Sequence, residues 1–398
     1  TPCRGIPREP ESLAACNLRP FRMERSGCDS EEFFMVRCSS FGKALLVGGL
    51  AVLALAQSAS AAGSLVSSLE AVNGSVAAQD DILVRWSLTN NGSSTAYVLR
   101  YQTPLFGVES NLFVVALDGE RVPYNGKLVK RAAPTAKDFL AVAPGETLSK
   151  VVELSSIYDF ARAGEYSVQY RINLGETLRP AKLGSSQPYR EDVLSNEVAI
   201  WREVGAVADD NHLLEEQGRL DQPSLALRAL TPSYISCSSS RQSALVTALS
   251  SAQSYASNAS SYMNAGTVGA RYTTWFGSYT SSRYSTVRTH YSTILSTIQN
   301  QRITFNCSCT DSSYAYVFPG SPYTIYLCNA FWAAPNTGTD SRAGTLIHEL
   351  SHFYVVASTD DWAYGQTACR SLATSNPSRA IDNADSHEYF AENNPFQN

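Results

Sequence analysis

The residues best suited to chemistry form the segment His348-Glu349-Leu350-Ser351-His352, which lies within an apolar run. Because residues four apart on a helix share one face, His348 and His352 can both reach one metal ion. Two imidazoles at this spacing, with a carboxylate beside them, are typical of a Zn²⁺ site in which Glu349 acts as a general base and not as a ligand. The chain has only five histidines, so this arrangement is a specific signal. It predicts a zinc site with a base beside it, the alternative being a helix with two solvated histidines.

The helix supplies only two ligands, so a third has to come from another part of the chain. The metzincin pattern places a histidine six residues after the second one, but Ser358 stands there. A glutamate from a later helix is one alternative, and Glu388 is the candidate for it. An aspartate soon after the helix is the other, with Asp360 and Asp361 as candidates. From the residues alone both alternatives stay open.

Residues 359–365, T-D-D-W-A-Y-G, resemble the G-T-x-D-x-x-Y-G signature of the aspzincins, the deuterolysin-type zinc peptidases. The first glycine of the signature is a serine here, a change that removes no chemical group. The resemblance implies that Asp361 is the third ligand of one Zn²⁺ per catalytic domain, together with His348 and His352. It also implies that Tyr364 helps to stabilise the oxyanion formed during peptide hydrolysis. The aspartate just before Asp361 is then expected to be a solvated loop residue.

Two acidic residues near the C-terminus, Asp385 and Glu388, stand three positions apart and so share one face of a predicted helix. Like charges so placed destabilise a bare helix, which indicates a cation between them; the alternative is a solvated acidic face. Residues 383–394 closely resemble the C-terminal segment of the peptidyl-Lys metalloendopeptidases, whereas general deuterolysins lack the glutamate. The resemblance, which spans roughly residues 232–398, implies that Asp385 and Glu388 bind the ammonium of the lysine just after the cut bond.

The lysines of the chain are distributed unevenly. All six lie upstream of residue 231, whereas eight arginines follow it. A segment of that length usually contains several lysines. A protease that cuts before lysine would gain from losing its own cleavage sites, although an arginine-rich, lysine-poor genome is an alternative explanation.

Five cysteines lie in the same segment, and in an exported protein they are expected to pair with one left over. They are Cys237, Cys307, Cys309, Cys328 and Cys369. Cys307 and Cys309 are too close in sequence to pair with each other. The resemblance to the aspzincins implies the pairs Cys237–Cys307 and Cys309–Cys328, which leaves Cys369 outside them. A cysteine-rich zinc site is the rival interpretation, but the spacing is not C-x-x-C.

The start of the chain has the pattern of an export signal. Residues 1–34 show no periodicity and are interpreted as a non-native or unassigned leader. Residues 35–61 combine positive charges, a 13-residue apolar run and a small-residue cleavage site, as in a secretory signal peptide. The apolar run is too short for a comfortable membrane span. We therefore expect a secreted, extracellular protein with no membrane attachment once the signal is removed.

Residues 62–230 are predicted to form an all-β, sandwich-like pro-domain and a linker, because short strands alternate with turn dipeptides such as Asp118-Gly119. The resembling enzymes are made with β-rich pro-regions, which implies an inhibitor or a folding aid; an accessory module is the alternative. Residues 231–398 change to helical periodicity, which predicts a mainly helical zincin catalytic domain and an α+β protein. We expect the strand at 323–327 to be the edge that pairs with extended substrate.

Charge and composition exclude one large class of partners. The formal net charge is −5 and no basic cluster with interleaved aromatic residues occurs, so no nucleic acid is expected. The expected partners are protein or peptide substrates and the chain's own propeptide. Together the observations predict a secreted zinc metalloendopeptidase that cuts on the amino side of lysine. The alternatives are a general deuterolysin-like endopeptidase and a non-catalytic binding protein with a degenerate zincin fold.

Overall fold

The computed structural model of the chain describes residues 65–173, 192–203 and 231–398. The predicted leader and signal peptide and most of the predicted linker lie outside these residues, so both stay predictions. None of the described helices is long and apolar enough to cross a membrane.

The N-terminal region, residues 65–173 and 192–203, is built from short strands. Its strands are β1 (Leu65–Ala71), β2 (Ser75–Val76), β3 (Leu83–Asn90), β4 (Ala96–Leu99), β5 (Phe113–Leu117), β6 (Glu120–Arg121), β7 (Leu128–Lys130), β8 (Phe139–Val142), β9 (Thr147–Glu153), β10 (Gly164–Asn173), β11 (Asp192–Leu194) and β12 (Val198–Arg202). Strands β4 and β8 form a separate antiparallel pair.

Two sheets of this region share one hydrophobic core. In one, β3 lies between β1 and β9 and is antiparallel to both; the other has the order β2-β12-β10-β5-β6, with β11 beside β10. Every second residue of β3, namely Val84, Trp86 and Leu88, is fully buried, while the residues between them are more exposed. This period of two belongs to a sheet with one covered face. The β-rich N-terminal region predicted from the sequence is confirmed.

The C-terminal region, residues 231–398, is mainly helical. Its helices are α1 (Ser239–Asn264), α2 (Ala270–Phe276), α3 (Ser281–Asn300), α4 (Asn329–Ala333), α5 (Arg342–His352), α6 (Gln366–Ser375), α7 (Pro377–Ala380) and α8 (Ala384–Glu392). Its strands are β13 (Ser233–Ile235), β14 (Thr304–Asn306), β15 (Ala315–Val317) and β16 (Thr324–Leu327). A second core joins these elements, so the α+β class is confirmed.

Helix α5 carries the H-E-x-x-H segment through the middle of this core. All its residues from Ala343 to His352 are buried, as expected for a helix surrounded by protein. Ser341 caps its first turn by accepting from Gly344 N, and Glu392 of α8 accepts from the N and Oγ of Ser341. A Cβ on Gly344 would stand 2.2 Å from Glu392 Oε1, so only glycine lets α8 pack this closely.

The sheet of the C-terminal region contains a strand from the N-terminal region. Its order is β13-β14-β16-β15-β7, and β7 is antiparallel to β15. Strand β16 is paired on both sides, so the expectation that 323–327 forms the substrate-pairing edge is wrong. The strand that accepts β7 is β15, which pairs with β16 on one side and with β7 on the other.

The described part of the chain contains two disulfides, Cys237–Cys307 and Cys309–Cys328. They are the two pairs that the resemblance implies; the first joins the segments that follow β13 and β14, and the second joins the segment after β14 to the end of β16. Cys369 is buried in α6, outside both pairs, and accepts from Asn383 Nδ2 at 3.4 Å.

Candidate active site

Helix α5 and the loop after it bring together three side chains that can bind a metal ion. The Nε2 atoms of His348 and His352 lie 3.2 Å and 3.5 Å from Asp361 Oδ1. The ligand atoms of the three residues lie within 4.8 Å of one another. The loop is held against the helix because Thr359 N donates to Ser351 O at 3.1 Å.

The chemistry of these three side chains suits a zinc ion. Both Nε2 atoms and both oxygens of Asp361 are buried and have no hydrogen-bond partner among the described residues. Buried polar atoms without partners are costly, and their occurrence as a cluster indicates a ligand. Two imidazoles and one carboxylate are a common zinc donor set that leaves a fourth position for water or substrate. The residues present therefore fit the ion.

The local charges match this interpretation. Burial acts to raise the pKa of Asp361, but His352 and His348 outweigh burial and hold this pKa below its ordinary value. Glu349 lies next to His348 in sequence and is fully buried, and within residues 65–173, 192–203 and 231–398 neither of its carboxylate oxygens has a hydrogen-bond partner. Burial raises the pKa of Glu349 to about 8. A carboxyl group with a pKa near neutrality is suited to accept and return a proton.

The other ligand alternative, Glu388, lies on the far side of His348. Its Oε2 is 3.6 Å from His348 Nδ1, not beside the two Nε2 atoms. Asp361 Oδ1, by contrast, approaches the Nε2 atoms of both histidines. Asp360 is not the solvated loop residue expected from the sequence: its Oδ2 accepts from Asn111 Nδ2 at 2.8 Å, so the N-terminal region covers it.

Asp385 contacts His348. Together with Glu388 it also forms a pocket on α8, called the acidic pocket below. Its Oδ1 lies 2.8 Å from His348 Nδ1, and its Oδ2 accepts from Gly365 N at 2.8 Å. A carboxylate behind a metal-binding imidazole fixes the orientation of the ring. The same Oδ1 accepts from Lys130 Nζ at 3.1 Å. Burial raises the pKa of Asp385, but Lys130 and His348 outweigh it and lower this pKa.

Lys130, the last residue of β7, fills the pocket on α8. Its ammonium is 2.5 Å from Glu388 Oε2 and 3.9 Å from Asp340 Oδ1, and its side chain is 0% exposed. Burial lowers the pKa of Lys130, yet Asp385 and Glu388 raise it well above its ordinary value. The acidic pair therefore has the cation that the sequence indicated. The identity of this cation was not predicted from the sequence, although all lysines of the chain lie on the N-terminal side of residue 231.

Tyr364 contacts the residue before that lysine. Its hydroxyl donates to the carbonyl oxygen of Val129 at 2.8 Å. Burial raises the pKa of Tyr364 well above its ordinary value, so the hydroxyl keeps its proton and remains a donor. The peptide group between Val129 and Lys130 thus lies between a hydroxyl donor and an acidic pocket.

This chain is similar to several known proteins. Residues 261–392 match the aspzincin family, described as lysine-specific metallo-endopeptidase. The extracellular protease of Aeromonas hydrophila is 41% identical over 357 residues, which cover 89% of this chain and 98% of that protein. The chain belongs to the aspzincin family. It is a zinc metalloendopeptidase.

One further relative and one solved structure are also similar to this aspzincin. The peptidyl-Lys metalloendopeptidase of Armillaria mellea is 39% identical over 351 residues, covering 85% of this chain and 94% of that protein. A solved structure, the zinc peptidase from Grifola frondosa, is 55% identical and covers 41% of this chain and 100% of its own, with a TM-score of 0.40.

In this aspzincin, Asn383 connects the metal loop to α8. Its Oδ1 accepts from the backbone N of Trp362 and of Ala363, both at 2.9 Å. Its Nδ2 donates to Ser386 Oγ at 3.0 Å. One buried amide therefore fixes the loop that carries Asp361 relative to the helix that carries the acidic pocket.

A pair of histidines, the buried His387 and the half-buried His290, lies beside the same helix. His387 Nδ1 faces the Asn383 carbonyl oxygen at 2.9 Å, so Nδ1 carries the proton and Nε2 accepts from His290 Nδ1 at 3.0 Å. Burial lowers the pKa of His387 to about 3 and that of His290 to about 4. Both rings are neutral near pH 7. A proton on His387 Nε2 would place two N–H donors, His387 Nε2 and His290 Nδ1, opposite each other.

Proposed function

We propose that this chain is a secreted endopeptidase that hydrolyses peptide bonds on the amino side of lysine. One observation carries the proposal: the Lys130 ammonium is buried between Asp385 and Glu388 while Tyr364 donates to the carbonyl oxygen of Val129. Strand β7 has the extended, antiparallel pairing that a peptide takes when it adds to a sheet edge. The carbonyl just before a bound lysine is therefore the group presented to the catalytic side chains.

The form of the pocket favours lysine over arginine. A lysine ammonium is a compact charge on a flexible stem, whereas a guanidinium is planar and needs a fork-shaped partner. The two carboxylate oxygens approach Nζ at 2.5 Å and 3.1 Å from different residues, and the side chains of both are fully buried. Charge-assisted hydrogen bonds in a buried site are strong enough to dominate substrate choice.

The proposed mechanism assigns each catalytic side chain a separate task. His348, His352 and Asp361 would hold one zinc ion, which when bound supplies a Lewis acid and makes water more acidic. Glu349 takes the proton of the attacking water and passes it to the leaving amine. Tyr364 donates to the carbonyl oxygen as negative charge develops on it, a contribution of about 3 kcal/mol.

The names of the relatives support two finer points. Several are peptidyl-Lys metalloendopeptidases, which supports cleavage before lysine in this chain as well. The Aeromonas relative is an extracellular protease, which supports export and, with it, the signal peptide at residues 35–61. We further propose that residues 62–230 are a propeptide and linker that inhibit the enzyme or assist its folding, and that residues 231–398 form the catalytic domain.

The specificity of the mature enzyme tests this proposal. A denatured protein mixture is digested with the zinc-loaded enzyme, and the new N-termini are sequenced by mass spectrometry. Most of them should begin with lysine, and the Glu349→Gln variant should produce none above background. A broad range of first residues would leave a general deuterolysin-like endopeptidase. The absence of any cleavage would favour a binding protein with a degenerate zincin fold.

A further inference from the structure

Strand β7 is bound as a substrate is expected to bind. Its residues Leu128, Val129 and Lys130 pair with Val317, Tyr316 and Ala315 of β15. Tyr314 N also donates to Lys130 O at 3.0 Å, so the pairing continues past the lysine.

We propose that the chain cuts its own Val129–Lys130 bond, within the same molecule, and that β7 blocks the site until it does. This inference rests on the proposed function, because it takes the acidic pocket on α8 as the lysine site of the enzyme. It goes further by naming one bond of this chain as the first substrate.

Three contacts besides those of β7 connect the N-terminal region to the C-terminal region. Asn111 donates to Asp360 at 2.8 Å, and Asp192 accepts from Arg379 Nη1 at 2.7 Å. In a third contact, the Tyr354 hydroxyl donates to the backbone oxygen of Tyr124. A bond held in this way meets the catalytic groups at a high effective concentration, which favours reaction within one molecule over reaction between two.

The exposure of the lysine side chains distinguishes cleavage within one molecule from cleavage by a second molecule. Lys130 is 0% exposed, whereas Lys137 and Lys150 of the same region are exposed. A second enzyme molecule would therefore meet Lys137 or Lys150 first and could reach Lys130 only after the N-terminal region had opened. A cut before Lys130 that precedes all other cuts identifies the intramolecular route.

The reaction is an ordinary hydrolysis. Water oxygen bonds to the carbonyl carbon of Val129, and the bond from that carbon to the nitrogen of Lys130 breaks. The proton that Glu349 takes from the water goes to the leaving nitrogen. The products are a chain that ends in the carboxylate of Val129 and a chain that begins with the free amine of Lys130.

The experiment uses the full chain, purified with a chelator and then given zinc at a series of dilutions. The first new N-terminus should be Lys130, and its rate of appearance should not change with protein concentration. The Lys130→Ala variant should lose this fragment, while the matched Lys137→Ala variant should keep it. First cleavage before any other lysine, or a rate that rises with protein concentration, would overturn the inference.

A lysine-containing peptide added to the same preparation separates the inference from the proposed function. If the peptide is cut before lysine and the Val129–Lys130 bond stays intact, the inference is wrong and the proposed function stands. If neither is cut, the inference is wrong, and the digestion by the mature enzyme described above decides the proposed function, because uncut β7 would also keep the peptide out.

A second measurement needs neither zinc nor a variant. Amine acylation of the metal-free full chain should label Lys130 at least about tenfold more slowly than Lys137 and Lys150, because its labelling requires local opening. Equal labelling of the three lysines would show that β7 does not occupy the pocket in solution and would overturn the inference.

Discussion

Replacing Glu388 by glutamine isolates the charge of one pocket carboxylate. Glu388 Oε2 is 2.5 Å from the lysine ammonium, and both side chains are fully buried. The amide keeps the size of the side chain and one acceptor oxygen but removes the negative charge. Because Asp385 remains to balance the ammonium, the loss should be about 2–3 kcal/mol. That corresponds to a drop of about 30- to 150-fold in kcat/KM for cleavage before lysine.

The assay compares peptides that differ only in the residue after the scissile bond, with lysine, arginine or alanine at that position. Glu388→Gln should lower kcat/KM for the lysine peptide and leave the alanine peptide nearly unchanged, since no ammonium is bound there. Zinc content should stay the same, because Glu388 does not approach the Nε2 atoms of the metal-site histidines. Glu392→Gln is a matched control one helical turn further on, because Glu392 contacts Ser341 and its loss should not change the lysine preference.

The expected size of this effect depends on the ionisation of Glu388. Burial raises its pKa well above the ordinary value, and Lys130 opposes that rise. A carboxyl group that stays protonated against lysine would act as a neutral acceptor, which glutamine reproduces. A loss below about 5-fold would therefore refute the charge-pairing argument, since it corresponds to about 1 kcal/mol or less.

Three other predictions follow from the site. Tyr364→Phe should lower kcat about 100-fold, from a loss of about 3 kcal/mol, with KM and zinc content little changed in steady-state kinetics and metal analysis. Asp361→Ala should lose zinc by metal analysis, whereas Glu388→Ala should keep it; the reverse result would make Glu388 the third ligand. Because burial lowers the pKa of His387 to about 3, below its unfolded value, the unfolded chain binds more protons in acid. This part of the stability is present above about pH 6.5 and is lost as pH falls toward 3, so the melting temperature should fall over that range, less steeply in His387→Gln.

The parts of the site that could be predicted from the sequence are those set by local spacing. His348, Glu349 and His352 lie within five residues, so the helical repeat alone places them together. The pocket residues Asp385 and Glu388 are likewise neighbours on one helix. Local periodicity also indicated three helices. Helices α1 and α3 each bury one apolar face, and α5 is buried over almost its whole length.

Long-range pairing set the features that the sequence did not reveal. Lys130 and Asp385 are 255 residues apart, and no local pattern marks a lysine at the end of a three-residue strand as the one that enters the pocket. The order of β14, β15 and β16 in the sheet likewise depends on which strands pair with each other once the chain has folded. Each strand has only three or four residues, too few for its pattern to distinguish an edge from a centre.

The contact between Lys130 and α8 gives one physical reason for the two roles proposed for the N-terminal region, which are to inhibit the enzyme and to assist its folding. The catalytic segment from residue 231 onward contains no lysine, yet it buries Asp385 and Glu388 side by side. A buried charge without a partner costs several kcal/mol, so folding of this pocket gains from a cation supplied in the same chain. Once β7 leaves, water or a substrate lysine can solvate or neutralise the two carboxylates, and the need for Lys130 ends. In the two roles proposed here, Lys130 would both assist folding of the pocket and keep substrates out of it.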